Sequence, residues 1–163
     1  MVEHTYFKTI EQDWAGYSAS ILFSHPSFSE EVTVFLGPAY DDEGEEVDSP
    51  PTEAELTEMA QTHQLFIANI DLYLKAIQER AYEYYCAYYA HYYEDEAESG
   101  EAPLGIDAVE KHNPYIKELL HIRFLAGGVI ILPIRYALDN EHGLEFRFTN
   151  GEITDVGGID DTY

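Results

Sequence analysis

The sequence predicts an α+β domain: an antiparallel sheet of about six strands, with a central helical hairpin and a short helix packed on one face. Three observations carry this. Apolar residues alternate with period two in the first and last thirds of the chain. They recur at helical spacing in the middle third. The order strands, helices, strands is that of an antiparallel sheet covered on one side, not of repeating βαβ units. The 163 residues fit one domain, 1–163, large enough to bury a core without a disulfide or metal.

The elements follow in order. A first strand is expected near Thr5–Ile10. In 16–23, Tyr17, Ala19, Ile21 and Phe23 share one face. In 31–36, Val32, Val34 and Leu36 alternate with Glu31, Thr33 and Phe35. Strands thus fill about 4–36, and an acidic loop covers 37–51. Thr52 and Glu55 form a capping box after Pro51. The helical pattern runs from about 52 to 93, long for one globular helix. A hairpin broken at Ala68-Asn69 accounts for it, with Asn69 or Asp71 capping the second helix. A shorter helix is expected over 113–121, with Pro114 in its first turn.

Strands return over about 122–157. Val129–Leu138 is apolar throughout most of its length, and Pro133 suggests an edge or a bulge. Leu144, Phe146 and Phe148 alternate. Asn150-Gly151 tolerates the positive φ of a type I′ turn, which sets Phe148 beside Ile153 and Arg147 beside Thr154.

Charge is the outlier. Eight Lys and Arg against 32 Asp and Glu give a net charge of −24. Such a balance opposes binding to nucleic-acid phosphates or to an anionic membrane, and favours a cationic partner or a solubility role with no partner. Asp41, Asp42, Glu43, Glu45, Glu46 and Asp48 form one base-free run, and 94–110, opening with Glu94, Asp95 and Glu96, forms another. Between them lies a tyrosine-rich helix that includes Tyr88, Tyr89 and Tyr92. Tyrosines around most of a helix cannot all enter one core, so some are expected at the surface; a partner surface and a well-covered core helix are the two readings. The two acidic runs and this helix form the expected partner-contact set.

Catalytic patterns are sparse. Asp139, Glu141 and His142 carry side chains able to bind metal or move a proton, but Asp/Asn turn chemistry and Gly143 account for them as a turn. His91 and Glu94 lie in the reverse of the carboxylate–histidine order used in helical metal sites. Counted from Asp41, a calcium loop fails at Glu46 and Thr52, where it needs Gly and Glu. No Gly-rich phosphate loop, G-x-S-x-G, C-x-x-C or H-E-x-x-H occurs, so no enzyme, metal or cofactor class is indicated. Cys86 reads as an inert core thiol, and one cysteine with no leader suits a reducing cytoplasm.

Several motifs together resemble a known group. They are Asp139-Asn140-Glu141-His142-Gly143-Leu144, Phe148, Asn150-Gly151-Glu152-Ile153, Val156-Gly157 and Asp160. Trp14-Ala15-Gly16, Ile21-Leu22-Phe23, Val32–Val34, the run Asn69–Ile77 and Tyr84-Tyr85 precede them in the same order. This pattern resembles a family of small acidic bacterial domains found among the immunity proteins of polymorphic toxin systems. One departure is Ala137-Leu138, where the family carries an aromatic. The resemblance implies a cytosolic, non-catalytic protein that blocks a toxin domain delivered in interbacterial competition. A small metal-binding or hydrolytic enzyme at Asp139, Glu141 and His142, and an acidic scaffold without a toxin, stand as alternatives.

Overall fold

Alternation at both ends of the chain closes into one sheet. The computed structural model describes residues 2–13, 15–28 and 30–162; Trp14 of the opening motif lies outside them. The strands are β1 (Val2–His4), β2 (Lys8–Asp13), β3 (Gly16–Phe23), β4 (Val32–Leu36), β5 (Ile116–Leu119), β6 (Ile122–Leu125), β7 (Val129–Tyr136), β8 (Leu144–Thr149) and β9 (Glu152–Gly157). The helices are α1 (Glu53–Ala68), α2 (Ile70–Tyr88), α3 (Ala90–Tyr93), α4 (Glu96–Ser99) and α5 (Val109–His112). The α+β class stands. The sheet order is β1-β2-β3-β4-β6-β7-β8-β9, with β5 also on β7.

Among the described residues the sheet has nine strands, more than expected. The first expected strand is a hairpin: Thr5–Phe7 turns, and β1 pairs β2 through Val2 and Ile10. The expected 113–121 helix is the second correction. Asn113–Tyr115 makes a single 3-10 turn, and the next residues form β5, pairing Ile116 with Tyr136 and Leu119 with Ile134. Ile116 and Leu119, three apart, share a helical face; a register shift between them lets both pack on the core from a strand, and the open flank of β7 decides. Pro133 is the third correction: it lies in an interior strand, opposite Glu145. On its other flank β6 stops at Ile131 and β5 starts at Ile134, so its missing N–H falls where the ladder changes partner.

Among the described residues, β4 and β6 form the one parallel pair (Val34–Ile122, Phe35–Arg123, Leu36–Phe124). Parallel pairing needs a long crossover, and α1 and α2 supply it. Their buried side chains Leu56, Met59, Phe66, Tyr73, Ile77 and Ala81 meet the sheet residues Val34, Leu36, Phe124, Ile130, Leu132 and Phe148. Phe66, 1% exposed, touches the rings of Phe23, Tyr73 and Phe124. Burying one such phenyl stabilises by about 1.5–3 kcal/mol.

The Thr52–Glu55 capping box forms as expected. Asn69 breaks the helical run, but the two helices do not fold back as a hairpin. One residue is too short to reverse the chain. The Asn69 Nδ2 donates to the Leu65 carbonyl at 2.9 Å, finishing α1 and not starting α2. α1 runs over the sheet toward this bend, with Glu53 beside His4 and Glu58 beside Gly127 at its start. α2 then runs from Tyr73 on Phe148 to Tyr89 on Tyr136.

Asn150 (φ 51°) and Gly151 (φ 86°) close the β8–β9 hairpin, with Phe148 opposite Ile153. Arg147 lies opposite Asp155, not Thr154, because a bulge follows; Thr154 turns its hydroxyl to the Arg147 carbonyl at 3.3 Å.

Two glycines separate backbone cost from packing cost. A Cβ on Gly151 meets only the Tyr73 hydroxyl, at 3.6 Å. A Cβ on Gly143 (φ +64°) lies 2.6 Å from Ile159 Cδ1 and 3.0 Å from the Ile134 carbonyl. Gly151→Ala is expected to cost the left-handed backbone alone, about 1–2 kcal/mol. Gly143→Ala adds about 1–3 kcal/mol of overpacking. Denaturant midpoints check this; equal losses refute the close approach of Ile159.

Candidate functional site

The tyrosine helix ends against the turn that follows β7. The Tyr89 hydroxyl donates to Asp139 Oδ2 at 2.8 Å, and the Tyr93 hydroxyl donates to the Leu138 carbonyl at 2.6 Å. Asp139 also accepts from the His142 amide at 3.1 Å and faces its ring Nδ1 at 3.0 Å. Gly143 takes the left-handed position of the turn, and Glu141 is exposed. Burial opposes the Asp139 charge, but the bonds from Tyr89 and His142 outweigh it and hold the carboxyl below its ordinary range. The hydrogen bond to Asp139, then its charge, raises the His142 pKa. Both oxygens of Asp139 are thus engaged: Oδ2 ties Tyr89, at the end of α2, to the turn, and Oδ1 holds the turn itself.

Glu94 is likewise an internal ligand. It accepts from the Tyr85 hydroxyl at 2.5 Å and from the amides of Gly105 and Ile106 at 2.8 and 3.0 Å. Burial works against its charge, yet those bonds keep its pKa below the ordinary 4.5. Beside it His112 is fully buried, its Nε2 2.6 Å from the Tyr136 hydroxyl, and burial pushes its pKa down to about 4. Of the tyrosines expected at a partner surface, Tyr88 and Tyr92 are exposed and Tyr89 is partly covered. Asp95 and Glu96 are exposed; Asp95 caps α4 through the Ala97 amide. Cys86, expected in the core, is exposed.

The other acidic run is a held loop at the opposite end of the sheet. Tyr40 bridges to Glu46, and Asp41 Oδ1 accepts from the amides of Glu43 and Glu45 at 2.9 and 3.0 Å. Gln12 donates to the Val47 carbonyl at 3.3 Å and the Tyr17 hydroxyl to the Asp48 carbonyl at 3.0 Å. Asp41, Asp42, Glu43, Glu45, Glu46 and Asp48 are all exposed. This loop leaves from the Leu36 end of β4, whereas Asp139 and the tyrosines lie at the Tyr136 end of β7. The two acidic runs therefore do not frame one surface.

The structure adds a feature that the sequence reading missed. Period-two alternation sends Phe35, Arg123, Ile131 and Glu145 to the sheet face away from α1 and α2. There they line a cleft of about 790 Å³. Arg123, 3% exposed, donates to the carbonyls of Gly37 and Ala15 at 2.7 and 2.8 Å and lies 4.6 Å from the Phe35 ring centroid. His121 sets its edge on the same ring at 5.1 Å. Burial, then the Arg123 charge, lowers its pKa to about 4, so it is neutral at pH 7. Glu145, 2% exposed, accepts from the Thr162 amide and hydroxyl at 3.0 and 2.6 Å. That clasp pins the C-terminal segment, whose Ile159 and Asp160 form one wall. The only sequence signal was a charge inside each of two apolar strands, Ile122-Arg123-Phe124 and Leu144-Glu145-Phe146, which reads as a solvated face.

A smaller hollow of about 360 Å³ lies at the α1–α2 bend between Leu65, Leu72 and Asn150. Among the described residues no three His, Cys, Asp or Glu side chains converge as metal ligands, and no helix is long and apolar enough to cross a membrane. No protein-family model, curated protein or solved structure matches the chain.

The carboxylate ties set an acid limit on stability. The folded pKa values of Asp139 and Glu94 lie below their ordinary 3.8 and 4.5. Their contribution is therefore present above the ordinary values and lost as pH falls through the folded ones. Tyr89→Phe is expected to cost about 1–2 kcal/mol at neutral pH, and less once Asp139 is protonated. Urea midpoints across that range check it; a loss independent of pH refutes the Tyr89–Asp139 tie.

Proposed function

We propose that the protein is a non-catalytic immunity protein that binds and neutralises a cognate toxin domain with a basic, nuclease-like surface. The observation that carries this is the Asp41–Asp48 loop. Its acids are all exposed, yet its backbone is held by Asp41, Gln12 and Tyr17. Among the described residues no ion pair engages these acids. Like charges crowded on a held loop repel one another and weaken the fold. The same arrangement attracts a basic protein, speeds encounter and discriminates against acidic partners. Toxins that cleave nucleic acid carry basic surfaces for the phosphates. The charge of −24 repels those phosphates, and anionic lipid, from the inhibitor itself. On this proposal the protein works in the cytoplasm, where a delivered toxin acts, without cofactor or metal.

The test measures association with the toxin domain encoded by the neighbouring gene. Changing Asp41, Asp42, Glu43, Glu45 and Glu46 to their amides keeps the Asp41 acceptor as Asn and leaves the fold intact. Association is expected to slow about tenfold or more and to lose most of its salt dependence. A wild-type rate in the amide variant, indifferent to salt, removes the acidic loop from the contact.

A further inference from the structure

We propose that the cleft on the sheet face away from α1 and α2 seats a Lys or Arg side chain of the basic partner, presented on an extended apolar segment. This assignment rests on the function proposed above and names the chemistry that the cleft accepts. Its size, about 790 Å³, falls within the roughly 300–1,000 Å³ of ordinary ligand sites. Phe35 and Ile131 give it an apolar floor, and Leu120 and Tyr40 on its rim are 46% and 51% exposed.

Charge decides what enters. Asp13, Glu145 and Asp160 face the cleft as carboxylates, against one guanidinium, Arg123. That guanidinium is already directed at the carbonyls of Gly37 and Ala15 and at the Phe35 ring. His121 is neutral at pH 7 and adds no cation. Glu145 is turned to Thr162, so the accessible charge is that of Asp13 and Asp160 on the rim. The Ala15 amide donates to Asp13 Oδ1 at 2.8 Å, which fixes that carboxylate. An anion would meet these rim acids. A cationic side chain can lay its alkyl stem against Leu120 and Tyr40 and place its head beside the rim acids. The acidic loop begins beside Tyr40, so the charge that steers a basic protein adjoins this cleft and not the tyrosine end.

The probe is the acetylated, amidated peptide Leu-Arg-Leu-Arg-Leu, titrated into the full chain and followed by backbone amide NMR. Its counterpart with Gln for Arg is the control. The Arg peptide is expected to shift the amides of Ala15, Phe35, Leu120 and Ile131, and the Gln peptide to bind about tenfold more weakly. Asp13→Asn with Asp160→Asn keeps the Ala15 contact and is expected to weaken the Arg peptide about fivefold, the worth of two rim ion pairs. Shifts confined to the Asp41–Asp48 loop overturn the cleft and leave the proposed function standing. Equal binding of the two peptides, or none, also overturns it. Cleft binding of the Arg peptide by a chain that ignores the neighbouring toxin supports the cleft and overturns the immunity function.

Discussion

The guanidinium of Arg123 sits at the seam between the two halves of the sheet. The first half, β1 to β4, is built of successive hairpins, and so is the second, β6 to β9. A short parallel ladder joins them through Val34–Ile122, Phe35–Arg123 and Leu36–Phe124, extended by the Gly37 amide on the Phe124 carbonyl at 2.8 Å. Arg123 straps this ladder on one side by holding the carbonyls of Gly37 and Ala15, from the end of β4 and the start of β3. Phe35 beneath it is kept 5% exposed on a face that alternation alone would leave wet. A buried cation cut off from such partners costs about 3–5 kcal/mol. The side chain that closes the sheet also forms the base of its cleft.

What local chemistry specifies was legible in the sequence. Thr52 and Glu55 find each other because they lie three residues apart, and Asn150-Gly151 turns because both residues accept positive φ. The alternation of Tyr17, Ala19 and Phe23 placed them in the core. What distant chain decides was not legible. Residues 116–119 became a strand because β7 had an open flank beyond Ile131. Asn69 caps backward because α1 and α2 each follow the sheet and not one another. Arg123 and Glu145 sit in different strands and answer to Ala15, Gly37 and Thr162, which no spacing rule connects.

The two acidic runs show why charge in a sequence does not map simply onto charge at a surface. Glu94 belongs to a base-free stretch, yet Tyr85 and two amides consume its carboxylate. Asp139 is consumed in the same way by Tyr89 and His142. Half-buried carboxylates of this kind act as backbone staples. Their hydrogen bonds offset the desolvation that burial costs. The acids of 41–48 differ: among the described residues Asp41 Oδ1 accepts from two loop amides and Asp48 Oδ1 from the Ser49 hydroxyl, and all six acids stay exposed.

The cations complete the argument. Arg123 and Arg147 donate to backbone carbonyls, the latter to Thr162 at 3.0 Å. Lys75, Arg80 and Lys111 pair with acids on the same or the adjoining turn, and Arg135 pairs with Glu118 across β5 and β7. With eight Lys and Arg in the chain, these bonds and local pairs leave little positive charge for the remaining acids. A net charge of −24 is then a property of the outside more than of the core. Such a surface is costly to a lone molecule through self-repulsion, and the cost falls when a basic protein docks. The fold therefore ties Arg123 and Arg147 to backbone carbonyls, pairs its surface cations with neighbouring acids, and leaves the acids of the 41–48 loop without an ion pair among the described residues, beside an open cleft.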